Sequence, residues 1–277
     1  MNITQSNWRD DKLKNHYVYL HKYHDDFFFN KKFGSYHSSK VTKELLKENQ
    51  SYDLLEIGIG AGNFYRYLKI NKITNNYTGG DISENYVNLS KKIHSYDGFF
   101  VTDAKFDKDL KKNYDVVYCR NVAHHQTDPY FFLKNLINKF TKKLIVELRT
   151  RDYGNTNLDV NSSHQLVDGV KVPYIFLNYD ELKNFFLSIE KLDKAKITIN
   201  RNYHIFGGKI GRSLEKEFFN KETKASDTTI IIELDKNLEK ISFFETFEKD
   251  KLLKDFSYYT HLLKSKLKDL TTSKVKK

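Results

Sequence analysis

Residues 52–62, Tyr-Asp-Leu-Leu-Glu-Ile-Gly-Ile-Gly-Ala-Gly, constrain this chain more than any other stretch. An apolar run delivers Glu56 near its end. Gly58, Gly60 and Gly62 then fall at every second position, and a helix-compatible stretch from Asn63 to Lys69 follows. A buried strand feeding a glycine turn and then a helix makes a nucleotide cradle. Glycine permits positive φ and lets a ligand approach the backbone closely. Nineteen residues after Gly62 comes Asp81. The next strand should end there, within reach of a ribose.

The glycine spacing separates two ligand classes. A dinucleotide fingerprint needs glycines at relative positions one, three and six. Counted from Gly58, the sixth position is Asn63, so that pattern fails. An acidic residue two positions before the first glycine suits a ligand with a positively charged amino-acid moiety better than a pyrophosphate.

The stretch resembles the first motif of class I S-adenosylmethionine-dependent methyltransferases, and further segments agree. The resemblance implies that Gly58, Gly60 and Gly62 pack near the methionine half of the cofactor and that Glu56 contacts that half. It implies that Asp81, with Ile82 beside it, accepts from both ribose hydroxyls. Asp103-Ala104 would meet the adenine. Arg120-Asn121-Val122-Ala123-His124-His125 resembles the family's fourth motif, beside the methyl group, with backbone carbonyls of Arg120 and Asn121 facing the methionine amino group. A histidine after this strand is a feature of the ubiquinone-biosynthesis-like branch, and His125 matches that position better than His124. Histidine titrates close to neutral pH, so one here can take a proton from a substrate hydroxyl.

The pattern around these motifs predicts an α/β fold. From Tyr52 onward strands alternate with helices. Strands are expected at 52–58, 77–82, 98–103, 114–119, 143–148, 195–199 and 228–234. Ser83 reads as an N-cap. Asp128-Pro129 opens one helix, as does Tyr179-Asp180. The whole is a Rossmann-like, doubly wound seven-stranded sheet with helices on both faces. The resemblance, not the pattern, makes the last strand antiparallel. Residues 1–50 read as an N-terminal helical cap, 51–235 as the cofactor domain, and 236–277 as a C-terminal helical extension. Within the domain, 151–178 and 200–227 read as substrate-side insertions, since long loops at strand carboxyl ends bind ligands.

Those insertions and the strand end just before the first carry Arg149, Arg151, His164, Asp168 and Tyr174, then Arg201, Tyr203, His204 and Arg212. Arginines on neighbouring loops can clamp a phosphate or carboxylate bidentately. His204 is a second candidate base. The N-terminal aromatics, Tyr17, Tyr19, Tyr23, Phe27, Phe28, Phe29, Phe33 and Tyr36, read as packing for the cap. His16, His21, His24 and His37 lack a metal-ligand pattern, so no metal is expected.

Composition closes off other classes. The net charge is +11, but lysines are spread along the whole chain with many Asn, Ile, Phe and Tyr. That is the style of an AT-rich genome, and no nucleic-acid partner is expected. One cysteine, Cys119, excludes an intrachain disulfide framework. No run of eighteen apolar residues and no secretory start are visible, so the expected compartment is the cytoplasm. Asn121-Val122-Ala123-His124 is not the proline-rich tetrad of enzymes that methylate base amino groups in DNA. The sequence therefore predicts O-methylation of a small polar acceptor: a sugar, or a phosphorylated or carboxylated metabolite. A bacterial surface-polysaccharide precursor would suit. The alternatives are an RNA or protein methyltransferase, a nicotinamide-dependent oxidoreductase and a non-catalytic cofactor-binding module.

Overall fold

A computed structural model of the chain describes residues 3–13, 16, 51–70, 72–73, 76–106, 110, 112–203, 206, 212–213 and 224–249. The strands are β1 (Asp53–Ile57), β2 (Asn76–Asp81), β3 (Phe99–Val101), β4 (Tyr114–Arg120), β5 (Phe140–Arg151), β6 (His164–Val167), β7 (Val170–Pro173), β8 (Leu177–Asn178), β9 (Ala195–Tyr203), β10 (Arg212–Ser213), β11 (Ala225–Leu234) and β12 (Ser242–Lys249). Among the described residues the α-helices are α1 (Asn63–Ile70), α2 (Glu84–His94), α3 (Pro129–Lys139) and α4 (Tyr179–Leu187).

The main sheet runs in the order β12-β9-β11-β5-β4-β1-β2-β3, with the two-residue β8 beside β5. β1, β2, β3, β4 and β5 pair in parallel, while β11 runs antiparallel to both β5 and β9. The antiparallel strand expected from the resemblance is therefore present, inside the sheet rather than at its rim. The order reverses between β1 and β4, which opens a crevice at their carboxyl ends.

Alternation along the strands builds two cores. Leu55, Ile57, Val117, Cys119, Leu144 and Val146 face α3 and α4, where Phe132, Leu136, Leu182 and Phe186 meet them. Leu54, Val116, Tyr118 and Ile145 point the other way, onto Phe64 and Leu68 of α1 and Val87 of α2. Strands covered on both faces carry continuous apolar runs, which is why β1 and β4 were legible. Two helix starts form as their sequence dictates. Asp128 Oδ1 accepts from Phe131 N at 2.9 Å and Asn178 Oδ1 from Glu181 N at 2.9 Å. Ser83 differs from expectation: its side chain makes no capping bond, and its own N–H donates to Asp81 Oδ1 at 3.0 Å.

Three segments depart from the sequence reading. Residues 151–178 are not only loop: Asp168 and Gly169, both at positive φ, turn the chain between β6 and β7, and β10 joins them in a second, three-stranded sheet. The 236–277 segment was expected to be helical, yet β12 is a strand parallel to β9, so the main sheet exceeds the seven strands expected. Its side chains explain this. Thr246 accepts from Asn200 Nδ2 at 2.7 Å, Glu245 pairs with Lys183 at 3.0 Å, and Phe243 packs on the core. At the N-terminus, Gln5–Arg9 and Asp11–Leu13 are short 3-10 turns rather than a long helix. The aromatics from Tyr17 to Tyr36, with His21, His24 and His37, lie outside the described residues, as does His204. No helix among the described residues is long and apolar enough to cross a membrane.

Candidate active site at the β1–β4 crevice

The glycine turn is stitched to the end of β2. Gly58 N donates to Gly80 O at 2.7 Å, and Gly60 N donates to Asp81 Oδ2 at 3.1 Å. Gly58 holds φ 86°, and a Cβ there would run into Val122 just beyond β4. The turn can lie flat against the end of β4 only with hydrogen in that place.

Asp81 is 8% exposed and binds one backbone N–H with each oxygen, from Gly60 and from Ser83. The Ile82 N–H lies close as well, and a carboxylate has about four lone-pair sites, so the backbone leaves only part of it for a diol. Burial pushes its carboxyl up to about 6, opposed by the N–H groups of Ser83, Gly60 and Ile82. Glu56 lies deeper, 5% exposed, and accepts from the Tyr77 hydroxyl. Burial pushes it up to about 8, with nearby Asp81 adding to the rise and Tyr77 and Arg120 opposing it. At neutral pH Glu56 is therefore mostly protonated. A cation placed against it would draw that proton off.

Asn121 follows β4 in a left-handed conformation, φ 57°, and its Oδ1 is buried without a hydrogen-bond partner among the described residues. An orphaned buried acceptor costs about 1–3 kcal/mol and calls for a donor in the crevice. A diol acceptor at Asp81, a flat glycine floor and an unspent acceptor at Asn121 together fit a ligand carrying a ribose and an ammonium group. The Arg120 guanidinium pairs with Glu147 on β5 at 3.3 Å, so it is the backbone carbonyl of Arg120, not its side chain, that stays available to the crevice. Asp103 is exposed beyond β3 and accepts from Lys105 N at 2.9 Å, while Ala104 O accepts from Asn135 at 2.9 Å. Ile82 presents its carbonyl to Arg9 Nε at 3.3 Å.

A family model described as a methyltransferase domain matches residues 29–195, more than half of the chain. The chain belongs to that family. It is a class I S-adenosylmethionine-dependent methyltransferase, and the fold around the crevice is the Rossmann-like one the family implies. Among solved structures, one match is a S-adenosylmethionine-dependent methyltransferase from Clostridium acetobutylicum. It is 13% identical, with 78% of this chain and 99% of that one covered and a TM-score of 0.49. Another is a magnesium protoporphyrin IX methyltransferase from Synechocystis with bound SAH, 12% identical, covering 72% and 84%, with a TM-score of 0.43. No curated protein matches.

His124 and His125 form the short turn after β4. His125 Nδ1 lies 2.6 Å from Pro173 O at the end of β7. Tyr174 stands edge-on to His124, 5.2 Å between ring centroids, and 5.7 Å from His125. Arg149 reaches the same place, its Nε 3.3 Å from the Tyr174 hydroxyl, and pairs with Asp227 of β11.

The remaining acceptor candidates fall elsewhere. Arg151 donates to Tyr153 O at 2.6 Å. Tyr203 donates to Asp152 at 3.0 Å, and Arg201 pairs with the same carboxylate at 2.5 Å. His164 sits in the second sheet with Nδ1 on Val160 O at 3.0 Å. Arg212 forms β10, opposite Gln165. Of the arginines expected to clamp an anion, Arg149 and Arg201 each already face a carboxylate. Sequence reasoning missed Trp8, whose ring meets His125 edge-on at 5.0 Å. Its one visible signal was that it is the only tryptophan in the chain.

Proposed function

We propose that this methyltransferase methylates a hydroxyl oxygen of a small polar acceptor, with His125 as the general base. The observation that carries the reading is the bond from His125 to the Pro173 carbonyl, 2.6 Å from Nδ1. A carbonyl only accepts, so Nδ1 holds the proton, and Nε2 of the neutral ring is the basic nitrogen. A base held in one tautomer can take the hydroxyl proton as the oxygen attacks, an effect of about 10²–10⁴ in rate.

S-adenosylmethionine supplies a methyl group already activated on a sulfonium. The chain's own residues then align and enclose. Asp81 holds the ribose diol, Asn121 the ammonium end, and the glycine turn forms the floor. Tyr174 and the histidines line the approach opposite. Holding both partners in line accounts for about 7–11 kcal/mol of a barrier when the geometry is good. The carboxylates facing Arg149 and Arg201 disfavour a phosphate as the group held there. An uncharged sugar or phenolic hydroxyl fits better than the phosphorylated or carboxylated acceptors the sequence also allowed.

The test begins with calorimetric titration of the purified chain with S-adenosylhomocysteine, with NAD alongside. Transfer of labelled methyl to a panel of sugars, phenols, carboxylates and phosphates follows. Binding of the first ligand alone, and methyl transfer to hydroxyl acceptors that is lost in His125→Ala, supports the proposal. Methylation of carboxylates at undiminished rate in that variant overturns it.

A further inference from the structure

Residues 3–13 cross the mouth of the crevice as a strap. Gln5 accepts from Thr127 at 2.8 Å, Asn7 donates to Lys171 O at 2.8 Å, and Arg9 donates to Ile82 O at 3.3 Å. Asp11 accepts from Asn85 on α2 at 3.0 Å. Leu13 is 1% exposed among Val167, Val170 and Val172 of the β6–β7 hairpin. These anchors lie on both sides of the opening, so the strap spans it.

Trp8 sits at its middle. The indole packs against the cluster of Leu13, Val167, Val170 and Val172 on one side, and against that of Ala61 of the glycine turn and Tyr86 of α2 on the other. Its edge-on contact with His125 puts it beside the proposed base as well. Yet Nε1 is buried and has no hydrogen-bond partner among the described residues. Indole is a donor only, and a buried donor without an acceptor is unfavourable by the amount that one good bond would restore.

The groups around it narrow what that acceptor is. An amino-acid end carries an ammonium, which needs an acceptor, and a carboxylate, which needs a donor. Asn121 Oδ1 is the unspent acceptor at the end of β4. Among the guanidinium groups, Arg120 and Arg149 already face Glu147 and Asp227, and Arg9 of the strap is directed to Ile82 O. We infer that the Trp8 indole N–H binds the carboxylate of the cofactor's amino-acid end, so that the strap is part of the cofactor site. This rests on the cofactor reading above and adds to it a residue outside the sheet.

The chain's only tryptophan makes the inference measurable. The unsubstituted full chain is titrated with S-adenosylhomocysteine, and tryptophan emission is recorded alongside calorimetry. Trp8→Phe is then titrated with S-adenosylhomocysteine and with 5′-methylthioadenosine, which lacks the amino-acid end. The expected result is a change in emission on binding, affinity for S-adenosylhomocysteine about tenfold lower in Trp8→Phe, and unaltered affinity for methylthioadenosine. Equal weakening of both ligands would mean that Trp8 only packs the strap, and equal affinity for both in the two proteins would mean that it makes no bond. Either overturns the inference while leaving the cofactor reading intact. If the unsubstituted chain binds neither ligand, both fall together.

Discussion

Replacing Glu56 by Gln should make this methyltransferase more stable, although Glu56 lies at the centre of the proposed cofactor site. The side chain is 5% exposed, and burial pushes its carboxyl from the ordinary 4.5 up to about 8. At pH 7 the folded chain keeps a proton there that the unfolded chain has given up. From 4.5 to pH 7 is two and a half pH units. At about 1.36 kcal/mol each, the folded state is disfavoured by about 3 kcal/mol. The folded value lies above the unfolded one. The favourable contribution of Glu56 is therefore complete below about 4.5 and lost as pH rises through about 8. Glutamine keeps the volume and an oxygen for the Tyr77 hydroxyl but never ionises. Urea unfolding of both proteins across this range is the assay. The two stabilities should agree near pH 4 and differ by about 3 kcal/mol in favour of Glu56→Gln at pH 7. A constant difference at every pH, or a variant that loses ground as pH rises, would refute the reasoning.

Asp81→Ala removes the diol acceptor and the link to Gly60 together, and calorimetry should find S-adenosylhomocysteine bound at least tenfold more weakly; an unchanged dissociation constant would remove Asp81 from the ribose site. His125→Ala should lower turnover by about 10²–10⁴ while cofactor affinity stays within a factor of about two, a split that separates a base from a packing residue. Arg149→Met removes the guanidinium that faces the half-buried Asp227 and should cost about 1–3 kcal/mol in chemical unfolding. Adding Asp227→Asn should restore most of that loss, and a failure to do so would mean that the arginine serves something other than its ion pair.

The parts of this molecule that were legible in its sequence are those whose cause is local. β1 and β4 are buried on both faces, so their apolar runs are continuous, and the glycines after β1 follow from a turn that Val122 presses against. Asp128 announces its helix because a cap is a bond between neighbours, and the helix read from Tyr179-Asp180 is capped by Asn178, one residue earlier. β12 was hidden because Phe244 and Phe247 are half exposed, and its reason to be a strand is β9, more than forty residues earlier. The β6–β7 hairpin is a different case. Val167-Asp168-Gly169-Val170 carries the Asp-Gly signal of a tight hairpin, but its strands are four residues long and were read as part of a loop. Trp8 could not be placed by any rule of spacing. The residues it serves, Ala61 and His125, are brought to it by the sheet.

The bond from His125 to Pro173 has a bearing on how such an enzyme could change its acceptor. Segments that contact substrate are the ones most open to exchange, and under the proposed function the hairpin ending at Pro173 stands beside the acceptor. Here the same hairpin decides which ring nitrogen can accept a proton. Specificity and reactivity are thus inherited together. A hairpin grafted to admit a new acceptor would arrive with its own orientation of the base, and a variant chosen for faster turnover would carry altered selectivity. Divergence along this line would proceed by replacing the hairpin and the histidine turn as one unit, over a cofactor half that need not change.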